Sequence, residues 1–285
     1  MNVEHSMFVG PTSEDTRPLE LDQRRADVLA IGSQLAYGRV GLNASLPVYQ
    51  EAGLRVASIP TTILSVLPHY PTAHQTRLSV GWIVKTLNDL VHSGALDSLR
   101  AIAIGYLANP DQASAIAAWL TDSPLHRLPI IVDPTFGDIG LGFYNDPAIV
   151  QPLRDVLRPE ATGLTPNVFE LAHLTCTDPS DLHDLEAIEV AARQLLLPQT
   201  EWIVVSGIRH PAVADQTDNG AIAELVITHD SADLFSHPLL ARTPAGVGDT
   251  FTASLVTHLI DGTQLTRATQ HAAKETAAHI REGDS

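Results

Sequence analysis

Residues Gly246-Val247-Gly248-Asp249 run directly into a helical pattern carrying Phe251, Leu255 and Leu259, so two flexible glycines set a carboxylate where a helix begins. That arrangement suits phosphoryl transfer. The N–H groups of a glycine-bounded turn, those of Val247, Gly248 and Asp249, stand at the positive end of the helix dipole and can hold a phosphate in flight. Asp249 can take the proton of an attacking hydroxyl as a general base. Asp is also a favoured helix N-cap and Gly a favoured turn residue, so the tetrad alone fits a plain helix start as well.

The elements that would position these residues follow a regular order. From Asp27 onward, short apolar runs alternate with helix-period segments, the pattern of a doubly wound α/β sheet with mostly parallel strands. The expected strands are Val28 to Ile31, Val56 to Ile59, Ala101 to Ile104, Ile130 to Val132, Ala161 to Leu164 and Ile203 to Val205. They are apolar throughout, as strands covered on both faces should be. Helical stripes lie between them, for example Ile83, Leu87, Leu90 and Val91, or Leu185, Ile188, Ala192 and Leu195. Ala221 to Ile227 and Ala232 to His237 flank Thr228-His229-Asp230-Ser231 and predict a late antiparallel hairpin. Two helices close the chain, Thr250 to Ile260 and Leu265 to Ile280. Residues 1–24 are polar and acidic and read as a loose tail; residues 25–285 read as one domain.

In such sheets ligands bind beyond the carboxyl ends of the strands. The polar residues at those ends are Ser33, Tyr106, Asp133, Asn167 and Ser206.

Composition narrows the partners. With 285 residues, 44% of them hydrophobic, the chain can build a substantial core. Its formal net charge of -16 argues against a nucleic-acid backbone as ligand and demands that any phosphate site be made locally, from helix N-termini and bridging cations. The single cysteine, Cys176, excludes an intrachain disulfide and fits a reducing cytoplasm. No apolar run reaches membrane-spanning length, so no membrane contact is expected.

Several segments, in order from about Val28 to Ile280, together resemble the pyridoxal kinases of the ribokinase-like superfamily. Leu29-Ala30-Ile31-Gly32-Ser33, with Tyr37-Gly38 and Gly41, is similar to the family's first strand and ring-binding turn. Gly105-Tyr106-Leu107 resembles the segment whose Tyr lies on the pyridine ring. Asp133-Pro134-Thr135-Phe136-Gly137-Asp138 resembles the Asp-Pro-x-x-Gly-Asp turn, and Thr165-Pro166-Asn167-Val168-Phe169-Glu170 the Thr-Pro-Asn-x-x-Glu segment.

The resemblance implies a three-layer sandwich whose mostly parallel sheet is flanked by helices and carries the late hairpin. It implies an ATP- and Mg²⁺-dependent kinase for the 5'-hydroxymethyl group of pyridoxal or a related vitamin B6 compound, with a monovalent cation such as K⁺ and a homodimeric assembly. Asp249 is then the base and Gly246, Val247 and Gly248 the anion hole. Ser33, Val40 and Tyr106 bind the acceptor ring, Asp133, Asn167 and Ser206 bind ATP, and Asp133, Asp138 and Glu170 hold the metal. Asn167 and Glu170 also read as a helix N-cap and its capping-box partner, a role compatible with ligation.

Two segments depart from the family pattern, Gly41-Leu42-Asn43-Ala44 and Thr62-Ile63-Leu64-Ser65-Val66-Leu67; in the second, apolar side chains replace the family's usual Asn and His near the ring. A site with fewer polar partners discriminates less. The alternatives are therefore a kinase for hydroxymethylpyrimidine or another small alcohol, and a non-catalytic vitamer or nucleotide binder.

Overall fold

The computed structural model describes residues 25–209, 220–240 and 244–282; the N-terminal segment 1–24, read above as a tail, lies outside the described residues. A nine-stranded sheet organises them in the order β11-β10-β9-β8-β5-β4-β1-β2-β3. Its parallel centre consists of β1 (Val28–Leu35), β2 (Val56–Leu64), β4 (Ala101–Ile104), β5 (Ile130–Val132), β8 (Gly163–Leu164) and β9 (Trp202–Ile208). The hairpin of β10 (Ala221–Thr228) and β11 (Ala232–Pro238) adds antiparallel strands beside β9, and β3 (Gln75–Arg77) does the same beside β2.

Side-chain alternation along each strand divides the apolar residues between two cores, which is why the strands read as continuous apolar runs. Leu29, Ile31, Ile102, Ile104 and Val132 pack with Ile83 and Leu87 of α2 (Val80–His92), Ile116 and Leu120 of α3 (Pro110–Asp122), and Leu171 and Leu174. Val28, Ala30, Ala101, Ala103 and Ile131 pack on the other face. Their partners are Val48 and Tyr49 of α1 (Leu42–Glu51), Phe251 and Leu255 of α7 (Val247–Ile260), and Ala268 and Ala272 of α8 (Leu265–Glu282). Three layers result.

A one-turn α4 (Val150–Pro152) continues into a π-type turn, and α5 (Val168–Leu174) and α6 (Leu185–Arg193) complete the helices. Each long helix on the first face begins on a side-chain cap: Ser79 Oγ accepts from the Trp82 amide, and Asn109 Oδ1 from the Gln112 amide with Pro110 in the first turn.

Several details differ from the sequence expectation, among them that β1 and β9 run past Ser33 and Ser206, which lie inside these strands rather than after them, and that β3 was not expected. Strand β8 spans only Gly163 and Leu164, and Gly163 leaves room for the Trp202 indole, which a Cβ there would meet at 2.1 Å. Helix α7 begins at Val247 rather than Thr250, because Gly246 supplies the left-handed N-cap. A two-stranded ribbon, β6 (Gly137–Asp138) with β7 (Gly142–Phe143), was not foreseen, since two-residue strands carry no readable period.

Candidate active site

The centre is built around the first turn of α7. Gly246 has φ 89°, and a Cβ on it would lie 1.8 Å from the Arg39 carbonyl oxygen, so only glycine lets the β1–α1 loop rest against this turn. The first intrahelical bond runs from Thr250 N–H to Gly246 O at 3.0 Å, which leaves the amides of Val247, Gly248 and Asp249 ahead of the helical ladder. Across the cleft, the Gly41 amide donates to Asp249 Oδ2 at 2.8 Å. Gly41 has φ 56°, and a Cβ there would meet both Ser33 O and Ser33 Oγ at 2.3 Å. Two glycines far apart in sequence thus fix one carboxylate. Burial, reinforced by the nearby Asp133 carboxylate and opposed by the Gly41 hydrogen bond, pushes the Asp249 carboxyl up to about 7. A base with that affinity suits proton transfer at neutral pH.

Asp133 directly follows β5 and is buried. Thr135 Oγ1 donates to its Oδ1 at 2.7 Å and Thr252 Oγ1 to its Oδ2 at 3.2 Å, while Thr252 Oγ1 also lies 3.0 Å from Thr165 Oγ1. Burial raises the Asp133 carboxyl, against these hydroxyl hydrogen bonds. Glu170 is buried as well; Phe136 N–H donates to its Oε1 at 2.9 Å and Asn167 N–H to its Oε2 at 3.0 Å, and the Glu170 amide returns to Asn167 Oδ1 at 2.9 Å. That is a complete capping box at the start of α5. Burial first, and Asp133 second, raise the Glu170 carboxyl well above the usual range.

Raised carboxylates crowded together mark a place where a cation would be welcome. Among the described residues, however, no three His, Cys, Asp or Glu side chains converge as a metal-ligand group. Asp133, Asp138 and Glu170, expected together, are not gathered in one shell: Asp138 is exposed and its Oδ1 accepts from the Ile139 amide at 2.6 Å, while both Glu170 oxygens serve backbone amides. The donor set fits a hydrated hard dication held by Asp133 and waters better than a closed cage.

Two cavities meet at this turn. A recess of ≈ 30 Å³ at the carboxyl ends of β1 and β4 is lined by Gly32, Gly41, Gly105, Asp133 and Asp249. The strand order changes direction here, since β2 lies on one side of β1 and β4 on the other, and such points host ligands. A groove of ≈ 540 Å³ carries Asp138, Asn167, Ser206, Val247 and Gly248 among its walls and continues to Glu224, His237 and Thr276. Gly248 lines the groove and Asp249 the recess, so neighbouring residues of the first turn of α7 face the two cavities. Asn167 and Ser206 are joined by an isolated parallel bridge, with Ser206 N–H on Pro166 O at 3.0 Å.

Ser33 is buried and Val40 and Tyr106 are half-buried; none of the three lines the recess itself, but Ser33 lies against Gly41 and Tyr106 follows Gly105, both of which do, while Val40 lies against Gly246. Burial raises the Tyr106 phenol and keeps it neutral, with Arg77 pulling the other way. Its carbonyl accepts from Thr61 Oγ1 at 2.7 Å.

Sequence reasoning missed Tyr144 and Thr252. Crowding and the charges of Glu170, Asp133, Asp249 and Asp138 raise the Tyr144 phenol, and since the residue is still 47% exposed the four acids are the surer cause. The β6–β7 ribbon brings it there, with Tyr144 N–H bonded to Phe136 O at 3.1 Å. Thr252 was within reach of inference, being three residues beyond Asp249 on the same helical face.

A family model described as phosphomethylpyrimidine kinase matches residues 37–284. The pyridoxine/pyridoxal/pyridoxamine kinase of Bordetella bronchiseptica is 37% identical over 268 residues, covering 93% of this chain and 90% of that protein. The chain belongs to this family of pyridoxal and phosphomethylpyrimidine kinases. A pyridoxal kinase of Rubrobacter xylanophilus is 29% identical over 244 residues, 85% of this chain and 82% of its own. Among solved structures, the pyridoxal kinase of Leishmania donovani in complex with ADP and pyridoxamine superposes with a TM-score of 0.79 at 25% identity, covering 90% of this chain and 86% of that one. The sandwich with its mostly parallel sheet and late hairpin is therefore the fold of the pyridoxal kinases.

Proposed function

We propose that the protein transfers the γ-phosphoryl group of ATP to the 5'-hydroxymethyl group of pyridoxal or a related vitamin B6 compound. The observation that carries the proposal is the Gly41–Asp249 hydrogen bond at 2.8 Å, which aims a carboxylate of near-neutral affinity into the recess beside three free amides. Asp249 accepts the hydroxyl proton as the acceptor oxygen bonds to the γ-phosphorus and the bond to the ADP oxygen breaks. The amides of Val247, Gly248 and Asp249 hold the charge that gathers on the phosphoryl oxygens. Asn167 and Ser206 line the nucleotide side, and Ser33, Val40 and Tyr106 bound the acceptor side.

Asp133 would hold Mg²⁺, with Glu170 and Asp138 as the further acids expected of the site, and the ion would supply charge neutralisation to the phosphates. The names of the relatives support a B6 vitamer, and the family model's description supports hydroxymethylpyrimidine as the runner-up acceptor. The reading extends to one kinase domain over residues 25–285, a reducing cytoplasm, activation by K⁺ and a homodimer. Exposed Tyr37, Ile63 and Tyr70 beside edge strand β3 give such a dimer an apolar face.

A Mg-ATP assay across pyridoxal, pyridoxine, pyridoxamine and hydroxymethylpyrimidine, with ATP alone as control, tests the proposal. Phosphorylation of a B6 vitamer is the expected result. Turnover of hydroxymethylpyrimidine alone transfers the assignment to the runner-up, and vitamer binding without product leaves a binder.

A further inference from the structure

Among the described residues, the groove wall holds two buried polar atoms without a hydrogen-bond partner. Glu224 of β10 is 5% exposed; one of its oxygens, Oε1, lies 3.1 Å from His237 Nε2 of β11, while Oε2 is buried without a hydrogen-bond partner. Thr276 Oγ1 of α8 is likewise buried and unpartnered. Both residues line the same groove as Gly248 and Asn167, beside the small apolar wall of Ala273, Ala277 and Ile280. Val226, two residues along β10 from Glu224, packs in the core shared with α7 and α8, so the Glu224 side chain rises on that same face of the sheet.

A half-satisfied buried carboxylate is costly, and a fold with no use for it would be more stable with an apolar residue there. The cost has a purpose if a ligand brings the missing donor. His237 supports this arrangement: its hydrogen bond to Glu224 raises the imidazole against its own burial, and the backbone of Pro238, its second partner, has only a carbonyl to offer.

We propose that Glu224, with Thr276, reads the nucleobase in this groove, the unpartnered carboxylate oxygen accepting a hydrogen bond from the exocyclic amine of adenine. The inference rests on the nucleotide reading of the groove made above. Hypoxanthine presents a carbonyl in place of that amine, which would face the carboxylate lone pairs and leave both groups unpaired. Purine riboside presents neither. In Glu224→Gln the remaining oxygen keeps the His237 donor, and an amide NH₂ stands where Oε2 stood, so the polarity of the site is reversed without a change of shape.

Equilibrium titration of the whole protein with ADP, IDP and purine riboside diphosphate tests this without turnover. The wild type is expected to bind ADP about 10- to 100-fold more tightly than either analogue, the range of one hydrogen bond to a charged group. Glu224→Gln is expected to weaken ADP and strengthen IDP until the order inverts. Equal binding of the three by the wild type, or an unchanged ADP to IDP ratio in the variant, overturns the role of Glu224 and leaves the kinase assignment standing. Binding of no nucleotide overturns the nucleotide reading itself. Since the analogue series on the wild type is decisive alone, a variant that failed to fold would not rescue the proposal.

Discussion

The proposed transfer centre and the proposed acceptor rim of this protein are built by different means. At the centre, the reacting groups are held by the backbone: Gly41 N–H on Asp249, the unladdered amides of α7, and the Phe136 and Asn167 amides on Glu170. At the rim, half-buried side chains such as Val40 and Tyr106 set the shape. Phosphoryl transfer needs charges in fixed places, and main-chain amides supply them with little freedom to lose. Acceptor choice needs a surface that can change one side chain at a time. Of the departures from the family pattern, Ile63 is exposed, whereas Leu42 is buried and lines the recess beside Asp249, and Asn43 is tied to the Leu35 backbone, so the departures reach both regions.

The comparison predicts graded effects. Asp249→Asn removes the proton acceptor from the centre and should lower kcat by roughly 10²- to 10⁴-fold while ADP binding stays within a few fold. Full activity in this variant would break the assignment. Gly246→Ala places a methyl group on the Arg39 carbonyl at a left-handed backbone position, so it should cost about 2–4 kcal/mol of stability together with most of the activity, read by thermal melting and by assay. A variant with normal melting would show that the β1–α1 loop does not need this contact. Tyr106→Ala alters only the rim. It should raise KM for the vitamer by about tenfold and leave kcat nearly untouched, since one ring face is lost and no charge is moved.

The smallest effect concerns stability. The folded affinity of Asp249, about 7, lies above its ordinary value of 3.8, so folding binds a proton there that the unfolded chain releases earlier. This contribution is fully present below about pH 4 and is lost as pH rises to about 7. In metal-free protein at pH 8, Asp249→Asn should therefore melt higher than the wild type, by an amount on the order of 1–2 kcal/mol, although it is the less active enzyme. Equal melting at pH 8 would show that solvent or counter-ions relieve the crowded acids.

Much of this was readable in the chain. The six parallel strands lie where apolar runs end in polar residues, and the Gly-Val-Gly-Asp tetrad starts a helix as its composition implies. The readable features are local. The missed ones depend on chain-distant closure: Gly41 meets Asp249 across 208 residues, and Tyr144 reaches the acids through two two-residue strands without periodicity. Asp138 and Glu170 show the limit of residue type as a guide. Both are acids in a metal-like motif, yet one carboxylate turns to solvent beside the groove and the other caps a helix, because backbone amides compete for the same oxygens that a metal would use.

The central claim is that Asp249, raised to near-neutral affinity by burial and by Asp133, is the base. The pH dependence of kcat/KM for Mg-ATP tests it most directly, because that ratio reports groups of the nucleotide-free enzyme. The account predicts a rate that climbs about tenfold per pH unit on the acid side and levels off near pH 7. A profile that stays flat from pH 5 to 8 would contradict it.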